Sequence, residues 1–328
     1  MRVIVVGAGV AGLVTAVQLA ERGASVDVVD RGAYLGAASC SWFAGGMLAP
    51  WCEAESAEPA VTHLGRMALD WWPAHIAGTV ALGTLVVAPP RDTAELSRFS
   101  KRTTDFEWLD RDAVARLEPD LDGRFRKALL FPREAHLDPR RALVALAARL
   151  EQMGVRISFD RDVSIPDLDA DRIVDCRGFA AAADLPDLRG VKGEMVVIRT
   201  HEIKLHRPIR MLHPRIPLYI VPRQDGLFMI GATSIESADR SRITARSMIE
   251  LLSAAYALHP AFGEAEVVEI GTDVRPAFPD NLPAIRRDGK IVRLNGLYRH
   301  GFLLSPAFAR MAADAVFEET DGADHVER

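Results

Sequence analysis

The chain has 328 residues, 49% of them hydrophobic and 26% charged, and its 40 basic and 45 acidic residues leave a net charge of −5. That near balance argues against a nucleic acid or an anionic membrane as partner, and the mixture excludes a low-complexity chain and suits about two domains. Three cysteines, Cys40, Cys52 and Cys176, are too few and too scattered for a disulfide framework or a zinc site, so no metal and a reducing, cytoplasmic setting are expected.

The N-terminal stretch carries the strongest local pattern. Residues 3–6 are an apolar, β-branched run suited to a buried parallel strand, and Gly7, Gly9 and Gly12 follow at GxGxxG spacing. Leu13, Ala16, Val17 and Ala20 then fall at helical spacing, Gly23 stands where a left-handed helix end is cheapest, and a second strand over 26–29 ends on Asp30. In a βαβ unit the first glycine allows a tight turn, the second the approach of a pyrophosphate, and the third close packing of helix on strand. The phosphates would meet the helix N-terminus, and Asp30, roughly 20 positions on, suits a ribose hydroxyl. The predicted ligand is an adenine dinucleotide. A leader or membrane span is the competing reading, but glycines interrupt the apolar run and no later stretch approaches the ~20 apolar residues that a span needs.

Residues 31–51 are rich in Gly, Ala and Ser. Either this backbone lies against a flat ligand, with Gly45, Gly46 and Met47 offering N–H groups and Ser39 and Ser41 offering hydroxyls, or it is an ordinary glycine-rich connection. Beyond it the patterns predict a helix over 59–77 with Trp71 and Trp72 in the core, a strand over 83–88, helices over 92–101 and 110–117, and a strand over 129–131. Asp138 as N-cap, Pro139 at the first helical position and Gly154 as the stop bound the next helix. Strands over 155–159 and 172–176 follow, the second ending at Arg177 and Gly178, as expected beside a crevice at the carboxyl ends of a parallel sheet.

The periodicity then changes. Strands over 194–200, 218–222 and 227–233 succeed one another without helices, which is antiparallel patterning. A helix over 244–258, a strand over 267–274, a hairpin turn at Asp288-Gly289, a strand over 291–294 and a final helix with Phe308, Met311, Ala312, Ala315 and Val316 on one face complete the chain. The expected architecture is α/β: a discontinuous Rossmann-like dinucleotide-binding domain over 1–80, 138–188 and 270–328, with an inserted, mainly antiparallel-sheet substrate domain over 81–137 and 189–269 and a pocket between them.

Several separated motifs, GAGVAG with Asp30, AGGML, YIVPR, VRPAFPDNLPAI and GLYRHGFLLSPA, occur in an order that resembles the D-amino-acid oxidase family of flavoproteins, and within it the glycine oxidases of thiamine biosynthesis. The resemblance covers nearly the whole chain. It implies non-covalent FAD, with Val10 and Ala11 in the phosphate turn, Asp30 and Arg31 at the adenosine ribose, Val163 at the adenine, Ser41, Gly45, Gly46 and Met47 along the flavin, and Tyr298, Arg299, His300, Gly301, Phe302 and Leu303 at its pyrimidine edge. It also implies that Arg275 binds a substrate carboxylate, with Tyr219 and Arg299 facing the substrate. The implied reaction is oxidation of glycine by molecular oxygen, with a hand-off to thiazole synthase and a homo-oligomer as further expectations. A D-amino-acid or sarcosine-type oxidase or dehydrogenase is the alternative, and a flavin-binding module without turnover is the alternative of another class. Three departures stand out: Asp30 where many relatives have Glu, His300 in place of Asn, and DCRGF in place of a run of small residues.

Overall fold

The computed structural model describes residues 1–212, 218–318 and 326–327. The opening unit forms as its pattern requires: β1 (Arg2–Val6), α1 (Val10–Glu21) and β2 (Ser25–Val29) make a parallel βαβ pair in which Val3 lies opposite Val26 and Val6 opposite Val29. A mostly irregular stretch leads to β3 (Met47–Leu48) and to three short helices, α2 (Pro50–Glu53), α3 (Pro59–Gly65) and α4 (Met67–His75). The single helix expected over 59–77 is therefore two. At the joint Leu69 N–H donates to Arg66 O only three residues back, and Gly65 lets the bend sit against the last helix, since a Cβ there would lie 2.8 Å from Leu303 Cγ.

Next come β4 (Thr84–Val87), α5 (Thr93–Ser100), β5 (Glu107–Asp110), α6 (Arg111–Leu117), β6 (Lys127–Phe131) and β7 (Ala135–His136). The chain returns through α7 (Pro139–Gln152), β8 (Arg156–Ser158) and β9 (Arg172–Asp175), then enters a run of strands: β10 (Arg189–Arg199), β11 (Ile209–Met211), β12 (Leu218–Pro222), β13 (Leu227–Gly231) and β14 (Ile235–Glu236). It ends with α8 (Ala245–Leu258), β15 (Glu266–Ala277), β16 (Ala284–Asp288), β17 (Ile291–Asn295), α9 (Gly301–Phe317) and β18 (Val326–Glu327). Strand β10 begins earlier than its apolar pattern suggests, because Gly190 and Gly193 interrupt the alternation without ending the strand, and β15 runs on through Arg275 and Pro276 to Ala277.

Two sheets organise these elements into a mixed α/β fold. The first has the order β18-β16-β17-β9-β1-β2-β8, with β17, β9, β1, β2 and β8 parallel and a hairpin at one edge. Its core joins Leu13 and Val17 of α1, Leu143 and Leu146 of α7, and Phe308 and Ala312 of α9. The second has the order β14-β10-β13-β12-β11-β4-β6-β5, with β15 antiparallel to β10 along its whole length, and packs Ile198, Ile220 and Ile230 against Leu251 and Leu258 of α8. A short β3–β7 pair stands apart from both. Among the described residues no helix is long and apolar enough to cross a membrane.

Helix α9 contains Pro306, which deprives Phe302 O of its helical donor. The indole of Trp72 takes that place, donating to Phe302 O at 2.8 Å, and Gln18 of α1 donates to Pro306 O at 2.9 Å. Both bonds fix the N-terminal half of α9, the half that borders the cavities described below.

At the start of α7, Asp138 accepts from Arg140 N at 2.9 Å and Arg141 N at 3.3 Å and pairs with Arg223 at 2.7 Å. Burial alone would raise its carboxyl, but Arg223 and the two N–H groups hold it below the ordinary carboxylate range. A carboxylate held low stabilises the fold above its unfolded pKa and loses that contribution as the pH falls through the folded value. Asp138→Ala should therefore cost about 1–3 kcal/mol near neutrality. In urea unfolding the gap from the parent should close as the solution is acidified below about pH 4, and a gap independent of pH would show that the carboxylate charge contributes nothing.

Candidate active site

Two adjoining cavities lie where β1, α1, α9 and the second sheet meet. The first is bordered by Gly7, Gly9, Val10, Ala11, Asp30, Arg31, Ser41, Val163, Tyr298 and Gly301. Gly7 has φ +108°, and a Cβ on it would lie 2.5 Å from Cys176 O, so only glycine allows this approach of turn to strand β9. Gly12 lies behind the turn: a Cβ there would stand 1.8 Å from Gly7 O, so it sets how closely α1 packs on β1. At the start of α1, Gly9 offers no side-chain cap, and Val10 N–H donates to Ser41 Oγ at 3.1 Å. Asp30 accepts from Ala8 N at 2.6 Å and Gly32 N at 2.7 Å, so the acid also braces the turn. A cradle closed to any Cβ, facing a helix N-terminus, fits the diphosphate and adenosine of a dinucleotide.

The second cavity encloses about 500 Å³ and shares Val10, Cys40, Ser41, Tyr298 and Gly301 with the first. Gly45, Gly46 and Met47 form one wall, and Tyr219, Arg275, Arg299, His300, Phe302 and Leu303 also border it. Gly46 has φ +78°, and a Cβ there would meet Leu137 O at 2.1 Å, which explains the second glycine of the pair. The residues expected at the flavin and at the substrate are thus gathered on one continuous space.

Its electrostatics centre on a residue that the sequence did not single out. Glu53, buried at the end of α2, accepts from Tyr219 Oη at 2.7 Å and from Arg299 Nη2 at 3.1 Å, and lies 3.8 Å from both Arg210 and His300 Nδ1. Burial would raise its carboxyl, but the charges of Arg299 and Arg210 and the hydrogen bond from Tyr219 pull it down to about 2. Arg210, fully buried on β11, donates to Tyr219 Oη at 2.9 Å and to Cys52 O at 3.0 Å, and pairs with Glu55 at 3.2 Å. Burial, reinforced by Arg299, Arg275 and Arg210, outweighs the pull of Glu53 and pushes His300 down to about 4, which favours the neutral imidazole near neutrality. The one sequence signal for Glu53 is an acid directly after the apolar run MLAPWC.

Arg275 is different. Its Nη1 donates to Thr233 O at 3.0 Å, and among the described residues it has no carboxylate partner. Burial and the neighbouring Arg299 both lower its pKa. Gly193 of β10 makes room for it, because a Cβ there would lie 2.3 Å from Arg275 Nη2. A glycine inside a strand marks such a close approach, and this was the available signal for Gly193.

A strand-turn-helix cradle for a dinucleotide, opening on a cation-walled pocket, defines a dinucleotide-dependent oxidoreductase. Residues 2–315 match the family model DAO, FAD dependent oxidoreductase, and the chain belongs to that family of FAD-dependent enzymes. It is 58% identical over 320 residues, 97% of each chain, to a Rhizobium etli protein named as the thiamine biosynthesis oxidoreductase ThiO. Over 346 residues it is 26% identical to the bifunctional protein ThiO/ThiG of a Nostoc species, covering 97% of this chain and 53% of that one. The crystal structure of glycine oxidase from Geobacillus kaustophilus superposes with a TM-score of 0.80 at 26% identity, covering 98% of this chain and 96% of the other.

Two buried histidines, His300 on the cavity and His136 on β7, give the protein a pH signature. Burial lowers His300 and His136 from 6.5 to about 4. A histidine held below its unfolded pKa stabilises the fold fully above about pH 6.5 and loses that contribution as the pH falls. Unfolding free energy measured in urea should therefore drop between pH 6.5 and 4, and His300→Asn should remove part of that drop. A variant curve parallel to the parent across the range would show that His300 is not held neutral.

Proposed function

We propose that this protein is a glycine oxidase acting in thiamine biosynthesis: it deaminates glycine oxidatively to the imine, and thence to glyoxylate and ammonia, with molecular oxygen reduced to hydrogen peroxide. Its likeness to the Rhizobium etli protein and to the Geobacillus kaustophilus structure supports the reaction. The fusion named ThiO/ThiG in Nostoc supports a hand-off of the product to thiazole synthase. The three free cysteines suit a cytoplasmic setting.

The observation that carries the substrate assignment is Arg275, a cavity-wall guanidinium whose hydrogen bond goes to a neutral carbonyl. A small carboxylate completes it through two parallel hydrogen bonds and is thereby fixed in orientation. Tyr219 and Arg299 are already tied to Glu53, so they shape the pocket without competing for that carboxylate. The positive wall disfavours a substrate ammonium, which promotes loss of its proton and leaves the neutral amine needed for α-carbon oxidation. When bound, FAD supplies the acceptor for the two electrons of the Cα–H bond.

For the cofactor, Gly7, Gly9, Val10 and Ala11 hold the phosphates, Gly12 supports the turn, Asp30 and Arg31 take the ribose and Val163 the adenine, while Ser41, Gly45, Gly46, Met47 and Tyr298, Arg299, His300, Gly301, Phe302 and Leu303 surround the flavin. The state of Cys40 and Cys176 supports non-covalent attachment. Burial pushes the Cys40 thiol up to about 12 and the Cys176 thiol up as well, which makes both poor nucleophiles. The division into a cofactor domain over 1–80, 138–188 and 270–328 and a substrate domain over 81–137 and 189–269 belongs to the same reading.

Anaerobic glycine should bleach the flavin absorbance of the purified protein, and readmitted air should yield peroxide. Arg275→Met should keep FAD while kcat/KM falls on the order of 100-fold or more. Unchanged turnover in that variant would remove Arg275 from substrate binding, and a faster reaction with D-proline than with glycine or sarcosine would favour a D-amino-acid oxidase.

A further inference from the structure

We infer that Arg240, carried on the loop over 237–243 that follows β14 of the second sheet, binds the diphosphate of the dinucleotide from the side opposite the glycine turn. The inference rests on the assignment of FAD to the first cavity.

Arg240 borders that cavity together with Gly9, Val10 and Ser41, although it comes from a different sheet. Its side chain is 47% exposed, and Arg240 Nη2 lies 3.4 Å from Asp273 Oδ1, a loose pair whose acid already accepts from its own neighbour Val274 N at 2.7 Å. The guanidinium charge is felt at the Cys40 thiol, between the two serines that flank the glycine turn.

The rest of the loop is held firmly. Ser237 forms a parallel bridge with Val191, and a Cβ on Gly190 would lie 2.9 Å from Ala238 Cα, so the loop backbone lies directly on β10. Lys192, almost fully buried, donates through Nζ to Ser241 Oγ at 3.0 Å, Asp239 Oδ2 at 3.3 Å and Arg242 O at 3.4 Å. Residues on both sides of Arg240 are thus anchored by one buried cation, and the guanidinium is what the loop presents to the cavity.

Charge supplies the reason. The helix end at α1 is equivalent to about half a positive charge, well short of the two negative charges of a diphosphate. Arg177, also on the cavity, pairs with Asp175 at 2.8 Å and Asp184 at 2.5 Å and is already neutralised. Arg31 and Arg161 border the cavity at the end assigned to the adenosine. Arg240 is the cation placed near the serines and the turn.

The test is the FAD dissociation constant of the full-length holoenzyme, read from flavin fluorescence released on dilution, for the parent, Arg240→Gln and Arg240→Lys. Arg240→Gln should weaken FAD roughly tenfold or more, with Arg240→Lys between the two. ADP and adenosine are then used as competitors. ADP should lose affinity for Arg240→Gln by a similar factor, while adenosine, which lacks the diphosphate, should not change. An FAD constant within twofold of the parent, or equal losses for ADP and adenosine, would overturn the inference. A parent protein that retains no FAD would instead overturn the cofactor assignment, which keeps the two failures apart.

Discussion

One buried negative charge determines how the pocket behaves. Glu53 has left water, and a carboxylate in that position is tolerable only because Tyr219 and Arg299 bond to it and Arg210 and His300 stand near it. The grouping has two effects. It locks a tyrosine and an arginine that arrive from distant parts of the chain, β12 and the turn before α9, into one wall. It also uses up the acid, so that Arg275 on the same cavity is left with a carbonyl partner only. A guanidinium with only a carbonyl partner is suited to a carboxylate, and the wall that leaves it so is held rigid by Glu53.

Rigidity there depends on packing further back. Helix α9 presents its first turn to both cavities, yet it carries a proline that would leave a buried carbonyl without a donor. Trp72 repairs that carbonyl and Gln18 ties the next exposed one to α1. The same α1 is pressed on β1 by the contact of Gly12 with Gly7 O. The turn that would hold phosphates and the helix end beside the flavin are therefore referred to one common element, and a displacement of α1 would disturb both.

How much of this was legible in the sequence follows from how local each feature is. The βαβ unit, the cap at Asp138 and the hairpin at Asp288-Gly289 are each set by a few consecutive residues, and each stands where the pattern put it. The bend at Arg66 was not legible, because it answers to Leu303 more than two hundred positions away. Glu53 and Gly193 were not legible for a similar reason. Glu53 acquires its meaning from Tyr219 and Arg299, and Gly193 from the β10–β15 register, in which Val191 lies opposite Arg275 and the arginine side chain leans across its diagonal neighbour. Strand pairing between remote segments writes no period into either strand.

His300 and Asp30 make physical sense in this setting. A further positive charge beside Arg210, Arg275 and Arg299 would have to be buried near Glu53, which Arg299 and Arg210 already share. An imidazole avoids that cost: burial and the surrounding guanidinium groups keep His300 neutral, so a histidine at the start of α9 fills the place of a neutral amide without adding charge. Asp30 is accommodated in a different way. Its two oxygens take the N–H groups of Ala8 and Gly32, which draws the turn toward the shorter side chain. In both cases the charge of the site is kept, and charge is the quantity that a buried anion-binding pocket is least able to vary.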